Sequence, residues 1–190
     1  MMTEILRKYV LNFRSSLDTL DFNQVEMASN MLLSKRQTQN TIYIAGNGGS
    51  ASCAEHMAVD LMFGTKAPYP TLKTFCLSSN ASSLTATGND VQFESIFSRQ
   101  IQLLGVKNDL LVVISASGDS QNLINAVTEA KKLGMDTLGI LGFDGGRLLS
   151  LVDHAIHVKT SKGAYGISED LHLLINHLLV ENIREKIFHE

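Results

Sequence analysis

Ile42-Tyr43-Ile44-Ala45-Gly46-Asn47-Gly48-Gly49-Ser50 runs directly into Ala51-Ser52-Cys53-Ala54-Glu55-His56-Met57-Ala58-Val59-Asp60. The first half is an apolar, β-branched run that ends in a glycine-rich turn. The second half is alanine-rich with helical spacing. Together they predict a strand, an anion-ready loop and a helix N-terminus. Gly46, Gly48 and Gly49 allow a sharp turn and a close backbone approach to a ligand. Asn47 and Ser50 add polar groups, and Ser50 is placed to cap the helix. Free N–H groups and the positive end of the helix dipole then favour a phosphate. His56 and Asp60 stand four apart on one helix face, a spacing that suits a metal site or an acid/base pair. The loop is neither GxGxxG nor GxxxxGK[ST], so it is not a standard nucleotide motif. A glycine-rich turn that binds nothing is the plainer alternative.

A second unit of the same kind lies further on. Asp109-Leu110-Leu111-Val112-Val113-Ile114 is a near-continuous apolar run, the mark of a strand buried on both faces. It ends in Ser115-Ala116-Ser117-Gly118-Asp119-Ser120, and a helix follows to about residue 133. Hydroxyls of Ser115, Ser117 and Ser120 and the helix N–H groups can bind phosphate oxygens without adding charge. Two such loops in one domain favour phosphate binding over a pair of ordinary helix caps.

Outward from these units, 72–77, 137–142 and 154–158 read as further strands. His154 and His157 alternate with apolar residues, so both are expected to point away from the main apolar face. Residues 80–87 read as a short helix, Gly88-Asn89-Asp90 as a turn, and 92–104 as an amphipathic helix. Asp144-Gly145-Gly146 precedes a short helix near 147–151. Five strands alternating with helices predict an α/β fold: a parallel sheet with helices on both faces and right-handed crossovers. Ligands in such sheets sit beyond the C-terminal strand edges, where both polar loops lie. Two amphipathic helices, 3–15 and 21–36, precede the first strand. They pack either on their own domain or on another subunit. The last helix spans 168–188, with Ser168 as its N-cap. Asp170 and His177 share one face, Glu169 and His172 another. Glu169 and His177 lie roughly 80° apart on the helical wheel, close enough to converge on an ion. Satisfied structural histidines are the alternative.

The 190 residues suffice for one α/β domain, with 1–38 as an N-terminal helix pair and 39–190 as the core and last helix. Hydrophobic content of 44% against 18% charged argues for a globular chain and against disorder. A net charge of −3 with no basic tail argues against nucleic acid as a partner. Cys53 and Cys76 are expected to be buried free thiols, since two cysteines make no disulfide framework. No apolar run reaches membrane-spanning length, and the first residues carry charges where a signal peptide would be apolar. The cytoplasm is the expected compartment.

GNGGS followed after five residues by His56, then Gly-Asn-Asp, Ser-x-Ser-Gly-x-Ser, Asp-Gly-Gly and His-x4-His form one ordered series. This series resembles the SIS (sugar isomerase) domain family, and within it the bacterial phosphoheptose isomerases. The resemblance covers nearly the whole chain. It implies an aldose–ketose isomerase of a sugar phosphate, with sedoheptulose 7-phosphate as first candidate, serving heptose supply for a lipopolysaccharide or capsule. It implies a flavodoxin-like five-stranded sheet and a homotetramer with active sites at subunit interfaces. Carried over residue by residue, it places the phosphate on Ser50, Ser115, Ser117 and Ser120 with Gly48 and Gly49. The substrate also falls on Asn47, Asn89, Asp90 and Glu169. A zinc ion falls on His56, Asp60, Glu169 and His177, with Asp60 and His177 as the acid/base pair. Zinc would polarise the substrate carbonyl.

Departures accompany the resemblance. Asp60 stands where the family has a glutamate, and Glu169 where it has a glutamine. The family's arginine after the His/Glu helix is absent from Phe63-Gly64-Thr65, with Lys66 the nearest cation. An acid expected near Tyr165-Gly166-Ile167 is also missing. The substrate is thus expected to be a phosphosugar, not necessarily sedoheptulose 7-phosphate. A non-catalytic SIS module that senses a phosphosugar or scaffolds a partner protein is the competing reading. An amino-sugar synthase or deaminating module is a weaker third. Retention of His56, Asp60 and His177 favours the enzyme.

Overall fold

Leu110–Ser115 is buried at every position, and the fold is built around it. In a computed structural model that describes residues 2–189, this strand (β3) sits at the centre of a five-stranded sheet. The other strands are β1 (Thr41–Gly46), β2 (Lys73–Cys76), β4 (Asp136–Leu141) and β5 (His154–His157). The order is β2-β1-β3-β4-β5, and every pair is parallel. Alternation along the strands divides the core in two. Ile42 and Ile44 of β1, with Leu110, Val112 and Ile114 of β3, face one apolar layer, while Tyr43, Ala45, Leu111 and Val113 face the other.

The first layer packs against α2 (Phe22–Thr38), α3 (Gly49–Val59) and α8 (Tyr165–His189). The second packs against α5 (Ser98–Leu104), α6 (Gln121–Lys132) and α7 (Leu148–Leu151). Of the N-terminal pair, α2 packs on its own domain, meeting α8 and β5. The first helix, α1 (Met2–Leu17), touches chiefly α8 and leaves Ile5, Leu6 and Leu11 more than 60% exposed.

Several boundaries differ from the sequence reading. The expected turn at Gly88-Asn89-Asp90 is the last turn of α4 (Ala81–Asp90). Asn80 caps that helix by accepting from the Ser83 N–H, and the helix runs on through Gly88 to Asp90. The single helix expected over 92–104 is a 3-10 turn, Phe93–Ser95, followed by α5. Ser168 is no N-cap: α8 begins at Tyr165, and the buried Ser168 hydroxyl bonds Thr160 at 2.6 Å. Nor does Ser50 cap α3, whose N-cap is Gly48 at φ 55. His154 and His157 lie on opposite faces of β5. The first bonds the Gln24 carbonyl and the second that of Phe143, so each is a satisfied edge-strand histidine. Cys53 and Cys76 are buried free thiols, as expected, and burial raises the pKa of both.

Candidate active site

β1 and β3 are neighbours whose chains leave in opposite directions, so their C-terminal loops open a crevice between them. Gly46 begins the first loop, and a Cβ there would stand 2.4 Å from the Ser50 carbonyl oxygen. Only glycine lets the chain fold back this tightly into α3. Asn47 and Asn122 exchange paired amide hydrogen bonds of 2.9 Å, which tie this loop to the first turn of α6.

The serine loop is shaped by its own hydroxyls. Ser115 Oγ accepts from the Gly118 N–H and Ser117 Oγ from the Asp119 N–H. A hydroxyl that accepts in this way keeps its O–H free to donate to a ligand. The loop is braced from outside by Asp144-Gly145-Gly146. A Cβ on Gly118, at φ +67, would lie 1.9 Å from the Gly145 carbonyl oxygen. The Arg147 N–H donates to Asp119, and that bond, with the nearby guanidinium, holds the Asp119 carboxyl below its ordinary pKa.

Asn47, Ser50, Ser115, Ser117 and Ser120 thus line one cleft of about 100 Å³, closed on the α8 side by Tyr165 and Glu169. The N-terminus of α3 opens into it, and Gly48 and Gly49 form that terminus. The structure therefore brings together the phosphate-site residues named from sequence. Asn89 and Asp90 are not among them. They sit on exposed α4, where Asp90 lines a separate hollow of about 220 Å³ with Arg99.

A second cluster forms where α3 ends. His56 Nε2 lies 3.0 Å from Asp60 Oδ2, and His177 Nε2 is 3.7 Å from the same oxygen. The two imidazole nitrogens are 3.4 Å apart. Asp60 opens a π-helical segment, Asp60–Gly64, that continues α3. Asn176 of α8 donates to Asp60 Oδ2 at 2.8 Å and fixes its carboxylate. The histidines are about half exposed, so the cluster opens to solvent.

Among the described residues these three are the one group of His, Cys, Asp and Glu side chains with metal-ligand spacing. They fit a zinc ion. Ligands about 2.1 Å from a tetrahedral zinc stand about 3.4 Å apart, and the three separations here bracket that value. Two imidazoles and a carboxylate also match the donor types of catalytic zinc sites, which keep a fourth position open. Glu169, named from sequence both as a fourth ligand and as a substrate-site residue, does not join the group. It lies two turns up α8, about 12 Å along the axis from His177. Its carboxylate rests against Gly49 instead.

Sequence reasoning missed Asn122, Asn176 and Tyr165. Each neighbours a residue it did name or suspect, but pairing partners from distant segments leave no local signal. It also left His172 as a possible site group. That imidazole is fully buried with neither nitrogen bonded, and burial lowers its pKa to about 4. It is a neutral core residue.

Comparisons with known proteins bear on the family and the fold. The SIS domain family matches residues 7–142. A phosphoheptose isomerase of a Nitratiruptor species is 39% identical over 188 residues, covering 97% of this chain and 99% of the relative. One from Helicobacter pylori is 35% identical over 194 residues and the full length of both. Among solved structures, a phosphoheptose isomerase from Francisella tularensis superposes with a TM-score of 0.85 at 27% identity, covering 97% of this chain and 96% of that one. One from Neisseria gonorrhoeae gives 0.84 at 28%, covering 96% of each. The chain belongs to the SIS domain family, among the phosphoheptose isomerases.

Proposed function

We propose that this chain is an aldose–ketose isomerase that interconverts sedoheptulose 7-phosphate and the corresponding aldoheptose 7-phosphate. The observation that carries the chemistry is Asp60, oriented by Asn176 and flanked by two imidazoles. His56 lies on α3, Asp60 opens the segment that continues it, and Asn176 and His177 lie on α8, so the cluster is built on the same two helices that border the serine cleft.

The reaction moves one proton between C1 and C2. From the ketose, a base removes a proton from C1 while a proton reaches O2, giving an enediol. Returning a proton to C2 as O1 loses its own completes the aldose. Asp60 and His177 share these transfers, one as base and one as acid, and a carboxylate beside an imidazole suits that division. Ser50, Ser115, Ser117 and Ser120 hold the phosphate, remote from the reacting carbons, and so fix the position of C1 and C2. His56, Asp60 and His177 would hold one zinc ion per subunit, which when bound supplies electrophilic polarisation of the sugar oxygens.

The working form is a homotetramer in the cytoplasm. Exposed Leu6 and Leu11, and an apolar hollow of about 440 Å³ between α1 and α8 that reaches His177, favour a partner chain beside the site. Such a partner is the source from which Asn89 and Asp90 reach the sugar. No helix among the described residues is long and apolar enough to cross a membrane. Incubation with sedoheptulose 7-phosphate, with aldose formation followed by chromatography, tests the activity. Turnover that falls when Asp60 is replaced by Asn supports it. No turnover of any ketose or aldose phosphate by zinc-loaded protein overturns it.

A further inference from the structure

Glu169 places a negative charge inside the cleft assigned above to an anion. Its carboxylate lies flat over the position a Gly49 side chain would take: an ideal Cβ there would be 2.3–2.4 Å from Cδ and both carboxylate oxygens. Gly49 is the first residue of α3. The carboxylate therefore sits at the helix N-terminus, among Ser50, Ser115, Ser117 and Ser120. We propose that Glu169 is a built-in anion that occupies the phosphate cradle of the substrate-free enzyme, and that substrate phosphate must displace it. This inference rests on the phosphate-site reading of the cleft.

Charge decides the point. A helix N-terminus offers about half a positive charge. A phosphate monoester brings about −1.5 to −2 at neutral pH. Among the described residues that line the cleft, none is a cation. The cradle therefore accommodates one anion, and a carboxylate and a phosphate at contact distance repel. The carboxylate is also free to leave. Among the described residues it accepts no hydrogen bond; the Glu169 bond in the structure goes from Cys53 Sγ to the backbone carbonyl. Gly49 leaves the space that the carboxylate fills, and the serine hydroxyls line the same cleft. Glu169 thereby sets how tightly the enzyme holds phosphate: weaker than a neutral side chain of the same shape would allow.

Titration calorimetry with inorganic phosphate on the full chain tests this, comparing wild type with Glu169→Gln and Glu169→Ala. Thermal melts check that each variant folds, and Glu169→Ala covers the case in which the glutamine makes new bonds. Removing a like charge at this range is expected to tighten phosphate binding about tenfold or more in both variants. The gap is expected to widen from pH 6 to pH 8, as phosphate gains its second charge. Equal or weaker binding by both folded variants overturns the inference and leaves the cleft as a phosphate site. No saturable binding by wild type or either variant overturns the phosphate-site reading, and the inference with it.

Discussion

Asp60 is held from three sides by His56, His177 and Asn176, and each contact has a separable consequence. Asp60→Asn keeps the shape and the Asn176 contact but removes the proposed base. It is expected to lower kcat by about 10²–10⁴-fold with little change in Tm. His177→Ala is expected to fall in the same range, and both it and His56→Ala should lose bound metal as well as turnover. Full activity in Asp60→Asn would remove the carboxylate from the mechanism. His172 makes a different prediction. Its imidazole titrates near 6.5 when unfolded and near 4 when folded, because burial penalises the charged form. Above pH 6.5 both states are neutral. Between pH 6.5 and about 4 the unfolded chain takes up a proton that the folded chain refuses, so stability falls as pH falls and levels off below 4. The full effect is about 3 kcal/mol. His172→Leu is expected to flatten that stretch of the stability–pH curve in denaturant melts. A slope equal to wild type would contradict the assignment.

The elements themselves were legible where periodicity spoke. β3 announced itself by an unbroken apolar run, and both polar loops by glycine and serine at strand ends. What escaped was set by contacts or by backbone phase. The π-helical turn at Asp60–Gly64 has no sequence mark, yet it carries Asp60. Helical-wheel geometry put Glu169 and His177 in reach of one ion; the rise of about 12 Å between them and the space beside Gly49 drew Glu169 to the cleft instead. The start of α8 was misjudged by three residues because Ser168 looks like a cap and serves as a buried bond to Thr160. The loops carry their own test. In Gly118→Ala the new methyl meets the Gly145 carbonyl at a positive φ, with backbone on both sides. Stability is expected to drop by about 1–3 kcal/mol and phosphate affinity to fall, since the serine loop must shift. Calorimetry of folding and of phosphate binding would read both, and an unaffected variant would mean that the loop is not braced as described.

At the scale of the whole molecule, the single chain brings together a serine-lined cleft and a His/Asp/His cluster but leaves Asn89 and Asp90 outside both. Its first helix shows solvent a row of apolar side chains, Ile5, Leu6 and Leu11. Burial of such a face by another copy would resolve both facts. Leu6→Glu combined with Leu11→Glu is expected to shift the protein from the proposed tetramer toward smaller species in light scattering, with loss of turnover. A wild-type protein that is monomeric and active would refute the shared site.

The most direct test of the central claim is the metal content of the purified, untagged protein, measured together with isomerisation of sedoheptulose 7-phosphate before and after chelation. The account predicts one zinc per chain, turnover that chelation abolishes and zinc restores, and loss of that zinc in His56→Ala. Undiminished turnover by metal-free protein would contradict the role given to His56, Asp60 and His177 as a metal site.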